Sequence, residues 1–117
     1  MSYVDGFLTP VPDARREEYR QHAADFAPIF KEYVATQVME CWGDDVPEGK
    51  VTSFPMAVKR EPGESVVFSW VTWPSKAVRD AAWEKIMADP RMPQDMSKMP
   101  FDGKRMMYGG FSPIVEL

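Results

Sequence analysis

At 117 residues, with 44% hydrophobic and 27% charged side chains, the chain has the composition of one globular domain spanning residues 1–117. A net charge of −4 and a pI near 5.0 exclude a general binder of phosphate backbones, so no nucleic-acid partner is expected. No stretch reaches membrane-spanning length, and MSYVDGFLTPVP lacks a basic leader. The single cysteine, Cys41, leaves no disulfide to close within the chain. Together these point to a cytoplasmic protein with no membrane partner.

Tyr3–Val11 reads as a strand stopped by Pro10 and Pro12. Asp13 is placed to cap the helix that follows, with Glu17 and Glu18 at its positive end. Tyr19, Ala23, Phe26, Phe30 and Tyr33 recur at spacings of three and four and predict its apolar stripe, with a bend expected at Pro28. Ala35–Trp42 reads as a second strand, Val38, Glu40 and Trp42 on one face and Gln37, Met39 and Cys41 on the other. The connection from Gly43 to Gly63 is rich in turn residues, and Val51 to Arg60 within it fits either a short helix or an extra strand pair.

The strand that follows organises the chain. From Val66 to Trp73 nearly every residue is β-branched or aromatic, and neither alternate row is polar throughout. Such a strand must be covered on both faces. It leads into a helix capped by Ser75, with Val78, Ala82 and Ile86 facing the sheet and Asp89-Pro90 ending it. Met92 to Gly103 is irregular, and Lys104 to Val115 is the last strand, softened by Gly109-Gly110.

The order β-α-β-β-α-β predicts an α+β, ferredoxin-like fold: a four-stranded antiparallel sheet with two helices on one face. The other face would expose rows such as Val66, Phe68 and Trp70, too apolar for a monomer in water. A homodimer closing two sheets around a shared interior, a dimeric α/β barrel, is the expected assembly. The blocks YVDGF, ECWGDDVP, VVFSWVTWPSK, MADPRM and PFDGKRMMYGGF resemble a YbaA-like bacterial family of unknown function, over essentially the whole chain. That resemblance implies the dimeric α/β-barrel superfamily and carries no established catalytic residues. It also leads one to expect glycine near Val34, where the first helix ends; valine there argues against a left-handed cap.

Candidate chemistry is sparse. Glu40, within an apolar strand, is either a desolvated acid or base in the shared interior or an edge charge that discourages pairing. His22, the only histidine, is a candidate base between helix and sheet, against the plainer reading of a boundary residue. Trp42 and Asp44, beside the Gly43-Asp44-Asp45 turn, could border a pocket mouth, although aspartates in such turns commonly cap backbone amides. Arg105 and Tyr108 are further ligand candidates, but a regular strand puts them on opposite faces, and Arg105 is as well explained by an ion pair across a subunit boundary. One His and one Cys make no standard zinc site, and Met92, Met96 and Met99 are interrupted by prolines, so no metal or cofactor is expected. Two functions remain: a homodimer that binds or converts a small aromatic or apolar metabolite in a sheet-lined pocket, or a non-catalytic dimeric binding or stress-related protein whose barrel is solid.

Overall fold

β3 (Glu64–Trp73) lies between β2 (Gln37–Trp42) and β1 (Tyr3–Pro12), and β4 (Met107–Phe111) completes an antiparallel sheet in the order β2-β3-β1-β4. The computed structural model describes all residues, 1–117. Helices α1 (Arg16–Glu32) and α3 (Lys76–Ala88) are the long ones; α2 (Phe54–Ala57) is a single turn. This is the ferredoxin-like α+β arrangement expected from the element order. No helix is long and apolar enough to cross a membrane.

The register sorts every strand residue onto one of two faces. Asp5 lies opposite Val71, Thr9 opposite Val67, and Glu40 opposite Ser69, so these share the face covered by α1 and α3. Ala35, Val71, Trp73, Ala82 and Ile86 form the main core there, with Phe30, Trp83 and Val78 packed against it. Val11, Tyr19 and Val67 form a second cluster, flanked by Trp42 and Phe101. Fully buried side chains such as Ile86 and Val67 contribute roughly 1.5–3 kcal/mol each.

Several local expectations are corrected. β1 runs on through Pro10 to Pro12. β4 pairs only with Val4–Leu8, so beyond Leu8 one side of β1 has no strand neighbour and a missing N–H breaks no ladder bond there. Asp13 does not cap α1. It begins a 3₁₀ turn and accepts the Ser65 hydroxyl instead, while Arg15, at the N-cap, makes no side-chain capping bond. In α1 the buried residues are Tyr19 and Ile29, and the helix continues through Pro28. β2 starts at Gln37 rather than Ala35, and β4 is only Met107–Phe111, which leaves Lys104 and Arg105 in the preceding loop.

Val34 does adopt the left-handed conformation, with φ 80°. The Val34 N–H donates to the Lys31 carbonyl at 3.0 Å and the Ala35 N–H to the Phe30 carbonyl at 3.0 Å, the paired bonds of a Schellman cap. The same pattern closes α2 around Lys59, with φ 51°. The open question over 51–60 thus resolves to a helix, capped by Ser53, whose hydroxyl accepts the Met56 N–H at 3.1 Å. Ser75 caps α3 as expected, accepting from the Val78 N–H at 3.2 Å.

Candidate functional site

Tyr19, in the first turns of α1, is buried against the sheet, and its hydroxyl donates to Glu40 Oε1 at 2.6 Å. Glu40 comes from the edge strand β2 and is exposed as a whole, while its carboxylate meets Tyr19 in a partly buried bond on the helix-covered side of the sheet. The buried hydroxyls of Ser69 and Thr9 complete the polar group, Ser69 directly opposite Glu40 in the register. Aromatic rings close around it: Phe101 edge-on at 5.9 Å, His22 at 6.4 Å and Trp42 at 6.5 Å from the Tyr19 ring. The Arg16 guanidinium lies over the Trp42 ring at 5.2 Å.

This setting shifts all three titratable groups. Desolvation raises the Glu40 pKa above the usual carboxylate value, partly offset by the Tyr19 and Ser69 hydroxyls that stabilise its charge. Burial, and then the adjacent Glu40 charge, push the Tyr19 phenol well above its ordinary value. His22 is lowered by burial, which outweighs the nearby Asp25 and Glu18. The cluster is therefore a phenol held in its protonated form as a donor to Glu40, next to an imidazole biased towards its neutral form.

Three of the residues singled out from the sequence, Glu40, His22 and Trp42, thus converge on Tyr19. They do so on the helix-covered face, which overturns the placement of Glu40 in a shared sheet interior and of Trp42 at a pocket mouth. The reason is the register: Glu40 faces the same way as Ser69, and Val67 and Ser69 are the row under α1. His22 lines a shallow groove of ≈ 540 Å³ walled by Glu17, Glu18, Gln21, Asp25 and Lys98.

Asp44 is exposed in the turn after β2. Arg105 is held within its own chain rather than across a subunit boundary. It grips both Glu64 oxygens at 2.7 Å, Asp102 Oδ2 at 2.8 Å and the Lys59 carbonyl at 3.0 Å. These bonds occupy its fork at the side of an open cleft of ≈ 680 Å³. Tyr108 is exposed, pairs with Phe7 in the register and does not line that cleft. No three of the His, Cys, Asp and Glu side chains come together as metal ligands.

The opposite sheet face is apolar and open. Phe68 is 46% exposed, Met39 40% and Met107 45%, and the Trp70 ring packs beside Phe68 at a tilt of 57° with centroids 5.5 Å apart. Phe54 of α2 extends this surface, meeting Phe68 edge-on at 6.0 Å. Gly6 and Gly109 pair directly and lie beside Trp70, so two bare backbones form a floor in the middle of the face. The Phe111 ring rests on that floor, its Cε2 at 3.7 Å from where a Gly6 Cβ would stand and 3.4 Å from that of Gly109. At the rim the Trp70 indole N–H donates to Gln37 Oε1 at 3.0 Å.

A fourth grouping escaped the sequence reading. Asp5 is 3% exposed and accepts from Trp73 Nε1 and Trp83 Nε1 at 2.9 Å each, and from Arg79 Nη2 at 2.6 Å. Arg79 also lies over the Tyr3 ring at 5.1 Å. Its trace in the sequence is one acidic residue in an otherwise apolar strand, YVDGF, with two tryptophans and an arginine at positions that only folding brings together. With every carboxylate direction occupied, this is a clamp joining β1, β3 and α3.

Two curated relatives, both described as "Uncharacterized protein YbaA", from Escherichia coli (strain K12) and Shigella flexneri, are each 58% identical over 116 residues, covering 99% of this chain and 99% of theirs. A solved structure described as a dimeric ferredoxin-like protein from an uncultured marine organism superposes with a TM-score of 0.59 at 10% identity, covering all of both chains, a likeness of fold. Residues 2–103 match the family described as "Protein of unknown function (DUF1428)", and with the full-length relatives this shows that the chain belongs to that family.

Proposed function

We propose that the protein works as a cytoplasmic homodimer, one domain per subunit, whose two open sheet faces close on each other and hold a small aromatic or apolar molecule between them. The observation that carries this is the contiguous exposed apolar face, from Phe54 and Phe68 across Trp70 to Met107 and Phe111. Such a surface is larger and more continuous than the scattered apolar residues of an ordinary monomer. The solved fold neighbour, itself described as dimeric, lends support. The Gly6–Gly109 floor beside Trp70 already carries a flat ring, that of Phe111, on bare backbone, and an aromatic guest would stack on that ring or take its place. Binding is favoured over conversion. The titratable pair Tyr19–Glu40 lies on the other side of the sheet and does not face this interior.

The alternative, a barrel filled solid, has one observation in its favour: the Phe111 ring already occupies the floor. Sedimentation at micromolar concentration, followed by native mass spectrometry of the purified protein, separates the readings. A species at twice the 13.4 kDa chain mass carrying an extra small-molecule mass is expected. A dimer without guest that also fails to take up naphthalene-type probes means a solid core, and a monomer overturns both readings.

A further inference from the structure

We infer that the open cleft beside Arg105 is a binding site for a small carboxylic acid with an apolar tail. Residues of the segment 96–105 line it, together with Pro12, Arg15 and Glu64. None of Phe54, Phe68, Trp70, Met107 and Phe111 does, so the site is distinct from the open sheet face and stands or falls independently of the homodimer. Its volume of ≈ 680 Å³ is in the range of pockets that hold small molecules.

The class of ligand follows from which hydrogen-bonding groups are already used. Glu64 accepts the Glu61 N–H at 2.8 Å and both arms of the Arg105 fork at 2.7 Å. Asp102 accepts the Lys104 N–H at 3.0 Å and Arg105 Nε at 2.8 Å. Every carboxylate oxygen lining the cleft thus holds at least one bond. The donors are not exhausted. Lys104 is exposed, and its ammonium has no carboxylate partner, since Asp102 and Glu64 are turned to Arg105. Arg15 gives Nε and Nη2 to Glu18 but reaches the Met99 carbonyl from Nη1 only at 3.4 Å. The unused capacity is therefore donor capacity, among three cations and two carboxylates in a chain whose net charge is −4. An anionic head group matches it, and a cationic one does not. The rest of the lining is apolar: Met96, Met99, Phe101 and Pro12, with two unbranched thioethers that adapt to the shape of a tail.

The test titrates the full chain, carrying carbon-13 methyl-labelled methionine, with octanoate and with octanol. The label separates the two surfaces, because Met96 and Met99 line the cleft while Met39 and Met107 lie on the open sheet face. Saturable shifts of the Met96 and Met99 methyl signals with octanoate are expected, with octanol binding far more weakly. Lys104→Gln, an exposed position whose replacement leaves the fold intact by circular dichroism, should weaken octanoate by about tenfold, the loss of one charged hydrogen bond. Shifts confined to Met39 and Met107, or no shifts at millimolar octanoate, overturn the cleft as a site. Equal binding of octanoate and octanol, or wild-type affinity in Lys104→Gln, overturns the anionic class of ligand. None of these outcomes bears on the oligomeric state, which sedimentation reads separately.

Discussion

The Tyr19 hydroxyl and the Glu40 carboxylate meet at 2.6 Å between the first turns of α1 and the edge strand β2. The bond locks the helix to one of the two edge strands, since β2 pairs with β3 alone. It also decides how Glu40 responds to pH. Its folded pKa is raised, so its contribution to stability is greatest below the unfolded carboxylate value and is lost as pH rises through the folded value. Glu40→Gln keeps an acceptor for Tyr19 without the desolvated charge. Its stability relative to wild type should therefore increase with pH above the ordinary carboxylate range and then level off, measured by urea unfolding at a series of pH values. Tyr19→Phe should cost about 1.5–3 kcal/mol near neutral pH, because a charged acceptor loses its donor. A flat pH difference for Glu40→Gln rejects the desolvated placement.

The Asp5 clamp is expected to be the most sensitive polar site in the fold. Arg79→Ala leaves a buried carboxylate with only the two indole donors. The cost should be roughly 3–5 kcal/mol, the range for breaking a buried ion pair from one side. Arg79→Lys should recover only part of this, since an ammonium cannot reproduce the guanidinium fork. Denaturant midpoints of the two variants check it; equal, small losses mean that the indoles alone suffice.

Val34→Gly should stabilise the protein. A β-branched residue at φ 80° bears the left-handed penalty of about 1–2 kcal/mol. Glycine removes it at the cost of about 0.5–1 kcal/mol of chain entropy. A net gain of about 0.5–1 kcal/mol is expected, visible as a higher midpoint with an unchanged m-value. Val34→Ala, which keeps a Cβ, should show at most a fraction of that gain.

Trp42 and Trp70 sit on opposite faces of the sheet, and their truncations should separate by concentration dependence. Trp42→Ala hollows the Val11–Tyr19–Val67 cluster. Because Trp42 is only half buried, its loss should cost somewhat less than the roughly 3–5 kcal/mol of full burial, equally at every protein concentration. Trp70→Ala acts on the open face, so its effect should grow as the protein is diluted. If both variants unfold independently of concentration, the open face is not a subunit contact.

The repeating patterns were legible in the chain alone: the element order, the two-faced strand β3, the Ser75 cap and the stop at Asp89-Pro90. Each depends on near neighbours, where period-two or period-3.6 burial, capping bonds and the steric effect of proline act within a few residues. The apolar composition of β3 also carried the expectation of a second cover, because an exposed row of Phe68 and Trp70 is unfavourable wherever it lies.

What only the tertiary structure decided depends on register and on distant partners. A strand's alternation says that Glu40 and Trp42 share a face; it does not say which face the helices cover, and a one-residue choice sends both to the opposite environment. Pairing with β3 set that choice and turned a presumed interior carboxylate into the acceptor of Tyr19. The Asp5 clamp was illegible for the same reason, since Arg79 and Trp83 lie more than seventy residues further along the chain. Val34 shows the local limit. Its intrinsic preference opposes the left-handed cap, but the Schellman bonds of α1 and the docking of β2 onto β3 leave the chain no other exit, and the packed fold imposes a conformation the residue alone would avoid.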